Sequence, residues 1–339
     1  MRTLVTGATG FVGGRLADAL AERGADVRCL VRDRERARHL ADTRHELHEG
    51  DVLDAGSLRG AGEGVSTAYY LVHSMGRGTE REGFAERERR AAENFARMAS
   101  DEGVERIVYL GGLGDERSDH LRSRAATART LAEHGPPLTY LRAAMVIGRG
   151  SESYRTVRYL VERLPAMIAP AWLRNRTQPI AIQDVLEYLV QASERPEADG
   201  REIQIGGPDV LTYAEVLDVM ADVLGLRRRP KLPVPLLTPG LSSLWIGLVT
   251  PVDAGVARPL IESLASETVV TDPDPARVFD VAPMGCREAL ELARREEEQA
   301  DERRHRGQPC PPPRPPRPRA GPRCPRARTG RRARAAGPR

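Results

Sequence analysis

The amino terminus, MRTLVTGATGFVG, limits the possible folds more than any other stretch of this chain. Residues 2–5 make a short apolar strand, and Thr6, Gly7, Ala8, Thr9 and Gly10 a tight turn with almost no side chains. Residues 11–23 carry apolar groups at Phe11, Val12, Leu16, Ala19 and Leu20, which is helical spacing. A glycine-rich turn thus joins a buried strand to a helix N-terminus. Such a turn suits a diphosphate. Gly7 lets the chain reverse, Gly10 lets backbone N–H groups approach the anion, and Gly13 lets helix and strand pack tightly, with the helix's positive end facing the phosphates. Glycine spacing alone also fits an ordinary strand-to-helix turn. Here a second strand, residues 26–31, follows at the distance a dinucleotide-binding unit requires. The expected cofactor contacts are Gly7, Ala8, Thr9, Gly10, Phe11, Val12 and Gly13.

The pattern continues as strand and helix in turn. A charged helix is expected over 32–42, a short third strand leading into 47–52, a fourth strand over 66–72 and a long charged helix over 79–102. A fifth strand over 106–110 ends in Gly111 and Gly112, a helix covers 118–133, and a sixth strand over 138–142 runs on through 144–148. This alternation predicts an α/β fold, a Rossmann-type doubly wound parallel sheet with ligands at the carboxyl ends of its strands. Beyond about residue 150 the rhythm loosens. Helices are expected over 153–164 and 182–192, an extended stretch over 177–182 and a strand over 202–205. A further helix over 212–224 opens with Thr212 and Glu215 at capping-box spacing. Three parts follow: a nucleotide-binding domain over 1–150, a smaller substrate-side α/β region over 151–300 that returns a strand or two to the sheet, and a tail over 301–339.

Composition separates the tail from the rest. Residues 307–339 hold ten arginines, ten prolines and no acidic residue, so the net charge of +4 becomes −6 for residues 1–306. The tail cannot bury a core and is expected to be disordered. The mildly acidic globular part argues against nucleic acid as its partner. Cys29, Cys286, Cys310 and Cys324 lack metal-ligand spacing, and no metal cluster is evident. No charged leader followed by an apolar run precedes the first strand, so a reducing cytoplasm is the default expectation. The apolar segment 232–252 contains Pro233, Pro235, Pro239 and Pro251 and is too interrupted to span a membrane. It fits core, the wall of a pocket for a small hydrophobic substrate, or a face resting on a membrane or protein. Oligomeric state is open.

The residue after the second strand sets cofactor choice. An acid there would bond the adenosine ribose, and an arginine would accommodate a 2′-phosphate. Arg32 comes first and Asp33 next, which favours NADP(H) over NAD(H). Asp51 and Val52, after the third strand, fall where such folds place an acid and an apolar residue against the adenine, although Asp51 equally fits a turn cap. Leu71 and Val72 end the fourth strand and should lie along the cofactor. Of Tyr69 and Tyr70, on opposite strand faces, at most one looks into the cleft. Tyr70 and His73 are the candidates for proton transfer, His73 for its place at the strand end and its pKa range.

The segments TGATGFVG, AYYLVHSM, IVYLGGLGD, LRAAMVIGRGS and PIAIQDV, in that order, resemble the atypical, NmrA-like branch of the short-chain dehydrogenase/reductase superfamily over about residues 1–290. The resemblance implies an extended Rossmann fold with its NAD(P)H site retained. It also implies a serine after the fifth strand and a YxxxK pair on the next helix, and both are missing. Gly111 and Gly112 stand at the serine, and His120 and Arg124 hold the i, i+4 places of the pair. A protonated arginine and a histidine do not reproduce tyrosine and lysine, so the expectation is a solvated helix face, or Arg124 contacting cofactor phosphate or ribose only, rather than a catalytic pair. Members of the branch include reductases, quinone-linked or respiratory-complex accessory proteins, and sensors that bind the dinucleotide without turning it over. The expectation is an oxidoreductase acting on a hydrophobic carbonyl or quinone, with a non-catalytic NADP(H)-sensing regulator or assembly factor as the alternative.

Overall fold

The computed structural model describes residues 1–41, 45–72, 81–115, 119–164, 167–169, 171–233, 266–272 and 274–306. Seven parallel strands form one sheet: β1 (Arg2–Thr6), β2 (Asp26–Val31), β3 (Glu46–Glu49), β4 (Thr67–Tyr70), β5 (Arg106–Gly112), β6 (Leu138–Ala143) and β7 (Glu202–Ile205). Their spatial order is β7-β6-β5-β4-β1-β2-β3, so the order reverses between β1 and β4, where Leu4 pairs with Arg28 on one side and Ala68 on the other. That reversal is the switch point at which a doubly wound sheet binds ligands.

The strands are apolar on both faces because helices cover both. Val5, Tyr69, Val108 and Leu141 pack toward α1 (Phe11–Glu22) and α6 (Ile182–Glu194). Leu4, Ala68, Tyr70, Ile107, Tyr109 and Tyr140 pack toward α3 (Arg81–Asp101) and α4 (Asp119–His134). On α1, Leu16 and Leu20 are 0% and 2% exposed, and burial of each such side chain stabilises by about 1.5–3 kcal/mol. A further core joins α5 (Glu152–Arg163), α7 (Tyr213–Val223) and α8 (Cys286–His305) through Tyr154, Val157, Leu160, Val216, Met220 and Leu290. The capping box of α7 forms: Glu215 N–H donates to Thr212 Oγ1, and Thr212 N–H donates to the Glu215 carboxylate at 2.7 Å.

Three elements differ from the sequence pattern. The sixth strand stops at Ala143, and Val146–Ile147 turns off to pair with Ile180–Ala181. The helix expected from residue 32 forms only over Arg38–Ala41 (α2). Residues 34–37 form turns instead, although Asp33 accepts the Arg36 N–H at 3.1 Å as a helix N-cap would, and Arg34 reaches across to donate to Leu47 O at 2.6 Å. The sequence pattern starts an amphipathic helix over 283–304 that dissolves into charge, whereas α8 continues to His305, helped by i, i+4 pairs such as Arg294 with Glu298 at 2.7 Å. No helix among the described residues is long and apolar enough to cross a membrane. The apolar segment beyond Pro233, to residue 252, and the tail from 307 lie outside the described residues.

Candidate functional site

Close backbone approach builds the turn at the switch point. Gly7 has φ +65°, in the left-handed region, and a Cβ there would lie 2.5 Å from Leu71 O. A Cβ on Gly13 would lie 2.2 Å from Gly7 O, so only glycine lets α1 rest on the turn. The Gly10 N–H donates to Gly7 O at 2.8 Å and closes the loop. Thr6, which the sequence pattern put in the turn, closes β1 and fastens its end to that of β4. Its hydroxyl donates to Tyr69 O at 3.0 Å and accepts from the Leu71 N–H at 2.8 Å. α1 begins at Phe11 with Gly10 as N-cap and no side-chain cap. Its first amides, Phe11 and Val12 among them, have no helical carbonyl one turn back, the arrangement that suits an anion. Ala8 is 2% exposed, its methyl in the core, and offers only backbone. Uncapped amides, with glycines whose Cβ atoms would fill the turn, fit a dinucleotide diphosphate.

At the end of β2 the Arg32 side chain is exposed, whereas Asp33 is folded back. Asp33 caps the Arg36 N–H and pairs with the Arg36 guanidinium at 3.2 Å. Asp51 forms the turn cap, one carboxylate oxygen accepting the Leu53 N–H at 2.9 Å, and Val52 is buried in the core. Leu71 and Val72 are half-buried beside Gly7.

Side chains fill the space a Cβ would need over Gly111 and Gly112. A Cβ on Gly111 would sit 2.6 Å from the Tyr140 hydroxyl oxygen and 2.5 Å from its ring, and one on Gly112 would sit 2.6 Å from Leu121. Tyr140 stacks on Tyr109 with ring centroids 5.2 Å apart, Tyr109 leans on Tyr70 at 5.9 Å, and Tyr70 on Phe95 at 5.0 Å. Tyr70 is 3% exposed between β4 and α3, and burial pushes its phenol far above the usual range. This corrects the expectation of Tyr70 as a proton donor in the cleft. Tyr69 faces the other way and donates to Leu189 O at 3.1 Å. Both faces of a parallel sheet lie under helices, so the two phenols, though at the end of β4, pack beneath helices on opposite faces.

His73 and Ser74, and the side chain of His120, lie outside the described residues. Arg124 stands against the end of β5, where its guanidinium donates to Leu110 O at 3.1 Å. The sequence has a single lysine, Lys231, and it pairs with Asp218 at 2.5 Å. Over β5, β6 and β7 the ends are roofed by residues 266–272. Ser266 Oγ donates to Asp115 at 2.6 Å, and the Thr271 N–H donates to Gln204 at 2.9 Å. Arg142 holds this side from beneath, donating to Gly112 O at 3.2 Å, to Gly114 O and to Glu202 at 2.6 Å. Sequence reasoning missed Asp115, Arg142 and Ser266, because their partners are backbone carbonyls and hydroxyls far along the chain. Among the described residues no group of three His, Cys, Asp or Glu could hold a metal.

Residues 7–153 match the family model described as NAD(P)H-binding. The chain is 27% identical over 245 residues to mitochondrial NADH dehydrogenase [ubiquinone] 1 alpha subcomplex subunit 9 of Arabidopsis thaliana, covering 68% of this chain and 60% of that one. It thus spans about three fifths of that relative's length. It is 28% identical over 233 residues to the (4-alkanoyl-5-oxo-2,5-dihydrofuran-3-yl)methyl phosphate reductase of Streptomyces griseus, covering 66% and 73%. In fold it resembles the NADPH-dependent quinone oxidoreductase of Escherichia coli, solved with NADPH, at a TM-score of 0.69 and 18% identity, covering 86% and 98%. Fold and turn define an NAD(P)H-binding protein. The family match covers residues 7–153, under half of the chain, and marks that part as an NAD(P)H-binding domain, while the solved structures share the fold.

Proposed function

We propose that this chain is an atypical, NmrA-like member of the superfamily that binds NADPH in preference to NADH and reduces a small hydrophobic quinone or conjugated carbonyl. The observation that carries the reading is the packing of Tyr140 and Leu121 into the space over Gly111 and Gly112. With no serine, tyrosine or lysine at the usual places, the acceptor must be one that takes a hydride without a strong protein acid. A quinone meets that condition, since one hydride and one proton from water make the hydroquinone. Bound reduced nicotinamide would supply the hydride. The chain's own residues would hold the diphosphate on the Gly7–Gly13 amides, set an exposed Arg32 against a 2′-phosphate, and keep Arg124 beside the track at the end of β5.

The same closed end supports a second reading, an NADP(H)-responsive regulator or assembly factor, and the plant relative is named as a subunit of NADH dehydrogenase. Titration with NADPH and NADH, followed by NADPH oxidation against benzoquinone and menadione, decides between them. Turnover supports the reductase, and tight binding without turnover supports the regulator. An Arg32→Asp variant is expected to lose about tenfold of the NADPH-over-NADH preference, the weight of one charge-assisted contact. An unchanged preference would remove the cofactor assignment.

A further inference from the structure

Charged groups meet behind the turn, which carries none itself. Arg15, on the second turn of α1, lies back along its own helix. One guanidinium nitrogen donates to Phe11 O at 2.7 Å and another to Arg149 O at 2.7 Å, and the guanidinium carbon stands 4.5 Å from the centre of the Phe11 ring. Phe11 opens α1 and Ile182 opens α6. Both close on Gly148, where a Cβ would lie 3.2 Å from the Phe11 ring and 2.5 Å from Ile182. Two helix starts and the chain leaving β6 therefore share one point, and Arg15 is the side chain that bonds the loop to α1.

Burial, seconded by the charge of Arg149, lowers the Arg15 pKa from its ordinary value, and Glu296 opposes the shift. Glu296 comes from α8. One of its carboxylate oxygens accepts from Gln183 at 3.0 Å, and the other is buried without a hydrogen-bond partner among the described residues. A cation that is half-desolvated, bonded to two carbonyls 138 residues apart in sequence and balanced from a third element is not a solvated surface group.

We infer that Arg15 is a positioning residue for the dinucleotide, holding the loop 148–150 against the start of α1. In a sheet of this order one half of a dinucleotide extends from the switch point over β2 and β3 and the other over β4 and β5, on the side that this loop borders. Arg15 thus sets the second half's wall relative to the diphosphate turn. Arg32 and Asp51 serve the first half and do not touch this clamp. The inference rests on the NADPH reading above.

The test compares NADPH with adenosine 2′,5′-bisphosphate, which lacks the nicotinamide half, by calorimetric titration of the full chain and its Arg15→Met and Arg15→Lys variants. Arg15→Met is expected to weaken NADPH about tenfold or more while changing the bisphosphate less than about twofold. Arg15→Lys, which keeps the charge but reaches one carbonyl at a time, should fall between. Hydrogen exchange should show amide protection lost over residues 146–151 in Arg15→Met. Equal losses for both ligands, no loss for either, or a lysine variant matching the wild type would overturn the inference. If Arg15→Met fails to fold, the Arg15→Lys ratio decides. Wild-type protein that binds the bisphosphate but not NADPH, or neither, would instead refute the cofactor reading itself.

Discussion

The two ends of the nucleotide track are built on opposite plans. Around Gly7 and Gly13 the chain has stripped side chains away, so that backbone meets backbone and amides stand bare. Around Gly111 and Gly112 the glycines serve the reverse purpose, because Tyr140 and Leu121 occupy the room their side chains would need. The same residue type thus opens one end to a ligand and closes the other. The contrast teaches that glycine must be read with what packs above it. It also separates retention of a nucleotide from retention of proton-transfer chemistry.

The comparison is broken most severely at the open end. A Gly13→Val substitution forces heavy atoms onto Gly7 O, and it should abolish measurable NADPH binding and destabilise the fold by about 3 kcal/mol. Calorimetry and thermal melts read the two effects. Binding that survives would show that the turn is not where the diphosphate sits. At the closed end, Gly111→Ser puts back the hydroxyl expected of the superfamily but drives it into the Tyr140 ring. A loss of about 1–3 kcal/mol without added turnover is expected, and the double variant Gly111→Ser with Tyr140→Ala should recover part of the strain. Gain of quinone turnover by the single variant would show the space to be open. The smallest effect is predicted for Tyr70→Phe, which removes a buried phenol behind the sheet. NADPH oxidation by a quinone should stay within about twofold of wild type, and a large fall would return Tyr70 to the reacting centre.

The open end was legible because its information is local. Thirteen consecutive residues carry strand, turn and helix start, and their spacing survives without knowledge of any partner. Arg32 and Asp33 were legible as alternatives, and what the structure adds is that Asp33 accepts the Arg36 N–H while the Arg32 side chain is exposed. Tyr70 was misread because alternation along a strand assigns faces but does not say that both faces are covered. Tyr140 and Gly111 come together through the pairing of β5 with β6, and no local pattern announces it. Arg15 was silent for the same reason, since one of its two acceptors is a carbonyl 134 residues downstream. The helix expected from residue 32 shortens to Arg38–Ala41 behind a run of turns, which its charged sequence does not announce.

One feature of the sheet bears on how the protein is made. β7 and α6 come from residues 182–205, yet one forms the outer rung beside β6 and the other seals the face that holds Val5 and Tyr69. A ribosome must therefore extrude some two hundred residues before the first strand it released has its lasting cover. Until then one edge and one face of the sheet lack their cover, and a chain halted near residue 150 is expected to expose apolar surface.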